Sequence, residues 1–250
     1  MSKQIKTLYE HYKDTPKRLK IICDWDEVIQ PCEPYALWEA THKKAFENWT
    51  DTKLWEATKT FPEYFYSYWF ANSPPIEYSL YGSKNKVHES LLDSPIYKER
   101  MEEQANYKNS PFFYQLAPFL TVAEDLSELI KKDKVEKLIF LSAYDKRKFP
   151  NGDPRKRKIF SETFGRFPWF SLQLIGFDSE EKGASKADWI KQNASNFDLI
   201  IDDNPLICKE VIENISRITV CSPYYPAIKH DERVLLVKQE VSELKKESFR

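Results

Sequence analysis

The chain has 250 residues, of which 41% are hydrophobic, and can bury a substantial core as one α/β domain with a large insertion or as two small domains. Its 38 basic residues nearly balance its 39 acidic residues, so overall charge favours neither a nucleic-acid nor a membrane partner, and any basic recognition must be local. The chain has only 5 glycines and neither a GxGxxG nor a GxxxxGK[ST] motif, which excludes the glycine-rich phosphate cradles.

The N-terminus is polar, without the apolar core of a signal peptide, and no apolar run reaches about 18 residues. We therefore expect a soluble, cytoplasmic protein. The cysteines lack the paired spacing of metal sites and are expected to be reduced core residues: Cys23, Cys32, Cys208 and Cys221. The four histidines are scattered without ligand spacing, which argues against zinc.

Residues 1–17 form a polar N-terminal extension with at most two helical turns around Leu8 and Tyr12. An apolar run at 19–23 then predicts a buried strand that leads directly into Asp24 and Asp26. Because side chains alternate along a strand, the two carboxylates leave the same side of the chain. Two like charges this close must share a cation, share a proton or divide a chemical task.

Residues 31–118 differ from the rest of the chain in being crowded with tryptophan, tyrosine and phenylalanine at helical spacing. We interpret this segment as a helical subdomain inserted into the sheet-forming part, which comprises residues 18–30 and 119–250. The aromatic residues are expected mainly to pack its core, with a minority available to face a substrate.

From residue 119 onward, helical and strand-like patterns alternate. We predict helices at 122–132, 158–164, from Ser185 to about residue 193, from Pro205 onward and at the charged C-terminus; strands are predicted at 138–141, 172–175, 197–201, 218–220 and 234–237. Continuously apolar strands alternating with helices predict an α/β fold with a parallel, Rossmann-like sheet flanked by helices. In such sheets ligands bind beyond the carboxyl ends of the strands.

The polar residues at these strand ends and next to the following helices form an ordered set: Asp24, Asp26, Ser142, Lys182, Lys186, Asp202 and Asp203. One carboxylate can attack phosphorus while its neighbour protonates the leaving oxygen and later activates water. Carboxylates from a second strand help to hold a hard divalent cation, and a hydroxyl and an ammonium group neutralise the phosphoryl oxygens. The set favours an all-oxygen magnesium site.

This ordered set resembles the haloacid dehalogenase (HAD) superfamily. In that family the first strand ends in Asp-x-Asp, the second in Ser or Thr, a Lys precedes or opens a later helix, and a further strand ends in an acidic pair. Here the matching residues are Asp24-Trp25-Asp26, Ser142, Lys186 or Lys182, and Asp202-Asp203. The family places a helical cap at the position of residues 31–118, where it closes over the site and selects the substrate.

The resemblance implies a role for each matched residue. Asp24 would be the nucleophile that forms an aspartyl-phosphate and a magnesium ligand; Asp26 would be the general acid and base, with its backbone carbonyl on the metal. Ser142 and a lysine would hold the phosphoryl group, and we favour Lys186 because it sits at the start of the helix before the acidic strand. Asp202, Asp203 or both would complete the metal site. The second Asp is typical of the phosphatase branches, so the resemblance implies a magnesium-dependent phosphatase.

Two departures bear on this interpretation. Glu27 stands where the family usually has Gly, and Trp25 is bulky, although its side chain should point away from the aspartates. Glu27 favours the alternative of a catalytically silent protein of the same fold that binds a phosphorylated ligand, a nucleic-acid end or a protein partner.

The substrate is expected to be a small phosphorylated molecule. Basic residues from Lys146 to Lys158, including Arg147, could hold a second phosphate, and the alternative is a solvated loop. The run from Asp202 to Pro205, with an aromatic cap, is faintly similar to the 5'-deoxyribonucleotidase-like branch and suggests a nucleotide. The sequence does not decide the oligomeric state.

Overall fold

The computed structural model describes residues 5–31, 113–177, 182–224 and 230–244. Most of the predicted helical insertion, residues 32–112, lies outside this part of the chain, so the insertion and its boundaries stay a prediction. In the part that is described, no helix combines the length and the apolar character that crossing a membrane requires.

The described residues form a six-stranded sheet in which each strand pairs with its neighbours in parallel, in the order β3-β2-β1-β4-β5-β6. The strands are β1 (Leu19–Cys23), β2 (Val135–Asp145), β3 (Phe170–Phe177), β4 (Leu199–Ile201), β5 (Thr219–Pro223) and β6 (Leu235–Val237). The central pair β1 and β4 is flanked on both sides, which explains the uninterrupted apolar runs at residues 21–23 of β1 and 199–201 of β4. The α/β fold class predicted from the sequence is confirmed.

Helices precede and connect the strands. They are α1 (Leu8–Tyr12), α2 (Phe113–Leu116), α3 (Thr121–Lys131), α4 (Pro154–Thr163), α5 (Lys182–Asn193) and α6 (Pro205–Asn214), with a short 3-10 helix at Ala194–Asn196. Asp153 caps α4 and Asn204 caps α6, each by accepting a hydrogen bond from a backbone N–H two residues later. In both helices proline follows the cap, where its missing N–H costs nothing.

Side chains from the two faces of the sheet pack into two separate hydrophobic clusters. One holds Ile21, Trp25, Phe140 and residues of α3 and α4; the other holds Ile22, Ile139 and residues of α5 and α6. Neighbouring residues of β1 therefore serve opposite layers, as the alternation of a strand requires. The site at the end of β1 is built on a strand that is fixed from both sides.

The structure corrects three local predictions. Ser142 lies inside β2, not after its end, because β2 continues to pair with β3 as far as Asp145 and Phe177. Arg155 to Lys158 do not form a loop, because the cap at Asp153 starts α4 before them. Ser185 is an interior residue of α5 and does not cap it, since the helix already begins at Lys182.

The predicted charged C-terminal helix is wrong for residues 238–244. The backbone there makes tertiary hydrogen bonds instead: Lys238 N–H donates to the Lys6 carbonyl, and Ser242 N–H donates to the Phe119 carbonyl. The N-terminal segment is likewise part of the packed core, because Leu8 is fully buried against it.

Candidate active site

Asp24 follows directly on β1, at the carboxyl edge of the sheet. Its backbone N–H donates to the Ile201 carbonyl at 2.8 Å, which continues the pairing of β1 with β4 one residue past the strands. Its Oδ1 accepts a hydrogen bond of 2.7 Å from the Trp25 backbone N–H. The carboxylate is thus held rigidly, with only 9% of the residue exposed.

Asp202 and Asp203 follow β4 at the same edge, and both are almost completely buried. The Asp202 N–H donates to the Cys221 carbonyl of β5, and Asp202 Oδ1 accepts from the Asn204 N–H at 3.0 Å. Because Asn204 also caps α6, one short turn fixes both the acidic pair and the start of the next helix.

The two strand ends bring three carboxylates together. One oxygen from each of Asp24, Asp202 and Asp203 lies within 4.8 Å of the others. Hard carboxylate oxygens of this kind fit a small divalent cation such as Mg²⁺, which binds through few protein carboxylates and keeps further positions for water and phosphate. The donor set therefore fits the predicted metal. The predicted metal contact of Asp26, through its backbone carbonyl, stays a prediction.

Lys186 lies among these carboxylates. Its Nζ is 2.8 Å from Asp24 Oδ2 and 2.7 Å from Asp202 Oδ2, and its side chain is only 4% exposed. Burial alone would lower the pKa of Lys186, but Asp202 and Asp24 outweigh it and raise that pKa above its usual value. The ammonium group therefore stays charged next to the residue predicted to be the nucleophile.

Burial has the opposite consequence for Asp24. Loss of solvent raises the pKa of Asp24 to about 6, with Asp202 and Asp26 acting in the same direction and Lys186 opposing them. A bound cation would lower the pKa of Asp24 and so favour its carboxylate form, because it adds positive charge beside it.

A second lysine, which the sequence analysis did not single out as a site residue, lies on the other side of the Asp-x-Asp motif. Lys156 is almost fully buried, and its Nζ donates to Asp26 Oδ2 at 2.7 Å, to Ser142 Oγ at 2.5 Å and to the Ala143 carbonyl at 3.1 Å. It thereby links Asp26 to Ser142, two residues predicted to act on the same phosphoryl group. The signal that could have found it is Asp153-Pro154, which sets the start of α4 and hence the face on which Lys156 lies.

Helix α2, the first described element after residue 112, lies beside this group. Tyr114 in α2 donates its hydroxyl hydrogen to Asp26 Oδ1 at 3.1 Å. Gln30, at the end of the loop after β1, donates from Nε2 to the Tyr114 and Ala117 carbonyls, at 2.9 Å each, and accepts from Trp25 Nε1. The Asp-x-Asp loop and residues 114–117 are therefore joined by side-chain hydrogen bonds.

The two departures from the family pattern have clear structural settings. Trp25 is fully buried and packs edge-on against Phe140 and Phe164, so its side chain points into the core as expected. Glu27 has a φ of 61°, the left-handed region that glycine enters without strain. The family preference for glycine thus matches the backbone of this position, and here a buried glutamate adopts it.

Two further predicted residues, Arg147 and Lys182, have roles that stay predictions. Arg147 forms an ion pair with Asp145, two residues earlier, and its side chain is 62% exposed; its role in substrate binding stays a prediction. Lys182 is the first residue of α5, one helical turn before Lys186.

No family model matches the chain, and no curated protein does. Three solved structures match the chain at low sequence identity. A haloacid dehalogenase-like hydrolase from Streptococcus pneumoniae matches with a TM-score of 0.41 and 14% identity, over 88% of this chain and 93% of that one. A protein assigned as a β-phosphoglucomutase from Bacteroides vulgatus matches with a TM-score of 0.38 and 14% identity, over 92% and 88%.

A protein assigned as a HAD hydrolase from Bacillus subtilis, in a structure bound to magnesium, matches with a TM-score of 0.37 and 13% identity, over 82% of this chain and 89% of that one. At these identities the functional assignment rests on the residues of this chain.

Proposed function

We propose that this protein is a magnesium-dependent HAD-type phosphatase that hydrolyses a small phosphomonoester through an aspartyl-phosphate on Asp24. The observation that carries the proposal is the joint position of Asp24, Asp202, Asp203 and Lys186 at the end of the two central strands. A purely structural ion pair needs one carboxylate for one ammonium group. Here three buried carboxylates lie close together and Lys186 contacts two of them, Asp24 and Asp202, although unpaired buried charge is costly.

The first half of the reaction is phosphoryl transfer to the protein. An Asp24 oxygen attacks phosphorus as the bond from phosphorus to the ester oxygen breaks, and the Asp26 carboxyl gives its proton to that leaving oxygen. Lys186 and Lys156, which flank the Asp-x-Asp motif, balance the negative charge of the phosphoryl oxygens, and Ser142 donates a hydrogen bond. Bound Mg²⁺ would neutralise charge on the nucleophile and the phosphate.

The second half releases phosphate. Asp26, now a carboxylate, takes a proton from water as the water oxygen attacks phosphorus and the bond to Asp24 breaks. Asp26 regains its proton and Asp24 its carboxylate, so the cycle closes without any further reactant. The burial of Asp24 supports this chemistry, because low polarity strengthens each electrostatic contact that the phosphoryl group makes.

Phosphate release tests this proposal. We expect turnover of p-nitrophenyl phosphate with Mg²⁺, none with EDTA, and a loss of at least about 1,000-fold in Asp24→Asn, which removes the nucleophile. The matched control is Asp198→Asn, at the opposite end of β4, where Asp198 pairs with Lys17; its activity should stay within about twofold of the wild type. No turnover by a folded wild type on a broad panel of phosphomonoesters would favour the silent alternative.

The substrate stays a proposal at the level of class. The panel should include deoxynucleoside monophosphates and sugar phosphates, because the run from Asp202 to Pro205 is similar to the deoxyribonucleotidase-like branch. Cleavage of sugar phosphates without cleavage of nucleotides would contradict the nucleotidase assignment and leave the phosphatase assignment intact.

Binding of the metal can be tested without an activity assay, through its effect on stability. Mg²⁺ at 100 times its dissociation constant should stabilise the fold by about 2.7 kcal/mol, since it binds the folded state alone. Asp203→Asn should lose this gain in melting temperature, and Asp198→Asn should keep it. Equal stabilisation of both variants would place the cation elsewhere.

A further inference from the structure

We propose that the Tyr114 hydroxyl is a positioning group for Asp26, which keeps this carboxyl group aimed at the leaving oxygen. The inference deepens the proposed function and rests on it. Tyr114 is the second residue of α2 and lies far in sequence from the Asp-x-Asp motif. None of the matched family motifs includes it.

The first observation is how the Asp26 carboxylate is held. Tyr114 donates to Oδ1 at 3.1 Å, while Lys156 donates to Oδ2 at 2.7 Å. With 30% of its side chain exposed, Asp26 is the more open of the two aspartates of the motif, compared with 11% for Asp24. Packing alone therefore fixes Asp26 less firmly, and these hydrogen bonds from opposite sides set its orientation.

The second observation is the difference between the two donors. A lysine ammonium can only donate, so it suits the ionised carboxylate. A tyrosine hydroxyl can donate to a carboxylate and can accept from a carboxylic acid. Asp26 must alternate between these forms during the reaction, and Tyr114 can hold both of them.

The third observation is that Tyr114 is itself immobilised. It is 5% exposed, its carbonyl accepts from Gln30 Nε2, and the Arg155 guanidinium and Lys156 ammonium groups lie 5.5 and 5.4 Å from its ring centre. Cation–π contacts of this kind hold the ring from the side of α4. A hydroxyl on so fixed a ring can impose an orientation on its partner.

Loss of the Tyr114 hydroxyl should slow the reaction only for substrates whose leaving group needs a proton. Phenyl phosphate releases a more basic phenolate than p-nitrophenyl phosphate does, although the two esters are similar in size. In Tyr114→Phe, with Mg²⁺ present, we expect kcat/KM to fall about 10-fold for phenyl phosphate and to stay within about twofold for p-nitrophenyl phosphate. Phenylalanine keeps the ring and its cation contacts, so the fold is retained.

The matched control is Tyr12→Phe, which removes the hydroxyl of a half-buried tyrosine that contacts Cys221. It should change kcat/KM for the two esters equally or not at all. Equal losses on both esters in Tyr114→Phe, or no loss on either, would overturn the positioning role. An inactive wild type would contradict the proposed function itself, and the positioning role with it.

Discussion

Lys186 is a buried cation that lies between two buried carboxylates, Asp24 and Asp202. Lys186→Met keeps most of the side-chain volume and leaves Asp24 and Asp202 without that positive charge. We expect a loss of about 3 kcal/mol in the free energy of unfolding, measured by urea denaturation in EDTA.

A lysine on the same helix provides the comparison. Lys191 forms ion pairs with Asp188 and Glu210 at the surface, and Lys191→Met should change stability little, because solvent already screens such pairs. Adding Asp202→Asn to Lys186→Met should recover part of the loss, since it removes one of the stranded charges. Similar losses in Lys186→Met and Lys191→Met would contradict this account of the buried cation.

Glu27 carries the backbone strain of the Asp-x-Asp loop. Its φ of 61° favours glycine over any residue with a side chain. Glu27→Gly should therefore be more stable than Glu27→Ala by about 1 kcal/mol. At Glu128 in α3, a helical position, the order should reverse, with alanine more stable by about 1 kcal/mol. The same order at both positions, by thermal or urea denaturation, would show that the conformation of Glu27 is not strained.

Some residues of the site could be predicted from the sequence and others could not. Asp24, Asp202 and Asp203 follow apolar runs, and the carboxyl ends of parallel strands meet at one edge, so their proximity follows from the pattern. Lys156 could not be found this way. Its contact with Asp26 bridges 130 positions of sequence, and it depends on where α4 begins and which face it presents.

At the scale of elements, the packing of α1 on α3 predicts a pH dependence of stability. Burial raises the pKa of Asp125 in α3 to about 7, and hydrogen bonds from the Tyr9 and Leu8 backbone N–H groups offset this only in part. The folded protein then keeps a proton that the unfolded chain loses near pH 4. Stability should therefore fall as the pH rises from about 4 to about 7.

Asp125→Asn removes this titration. Between pH 5 and 8 the variant should lose less stability than the wild type, by up to about 3 kcal/mol, in urea denaturation at each pH. Asp24, whose pKa is raised to about 6, contributes the same slope to both proteins and cancels in the comparison. Glu128→Gln, at a half-exposed position of α3, should keep the wild-type slope. An unchanged slope in Asp125→Asn would contradict the assignment.

Helices and strands could be predicted where the apolar pattern alone determines their type and bounds. They were less predictable where tertiary contacts determine them. The first strand, over residues 19–23, matches β1 because a short apolar run between polar residues has no other good structure. β2 extends past its apolar run because β3 continues to offer backbone partners. The C-terminal segment is not helical over 238–244, because its backbone hydrogen-bonds to the start of α3 and to residue 6.

For the whole molecule, the site is an assembly of segments distant in sequence. Asp24 comes from the start of the chain, Ser142 and Lys156 from its middle, and Lys186 and Asp202 from its later part. The central sheet brings them together. Hydrogen bonds from Gln30 to Tyr114 and from Tyr114 to Asp26 connect α2 to the Asp-x-Asp loop. The sequence analysis assigns substrate choice to the predicted cap over residues 31–118, and most of that segment lies outside the described residues.

The most direct test of the central claim is to trap the phosphorylated residue. Asp26→Asn should take up the phosphoryl group from p-nitrophenyl phosphate, whose leaving group needs little protonation, but should hydrolyse the aspartyl-phosphate slowly. Borohydride reduces an acyl phosphate to the alcohol, so mass spectrometry of the peptide containing Asp24 should then show homoserine at position 24, only when Mg²⁺ and substrate are present. Homoserine at another position, or none in a variant that still releases p-nitrophenol, would contradict Asp24 as the nucleophile.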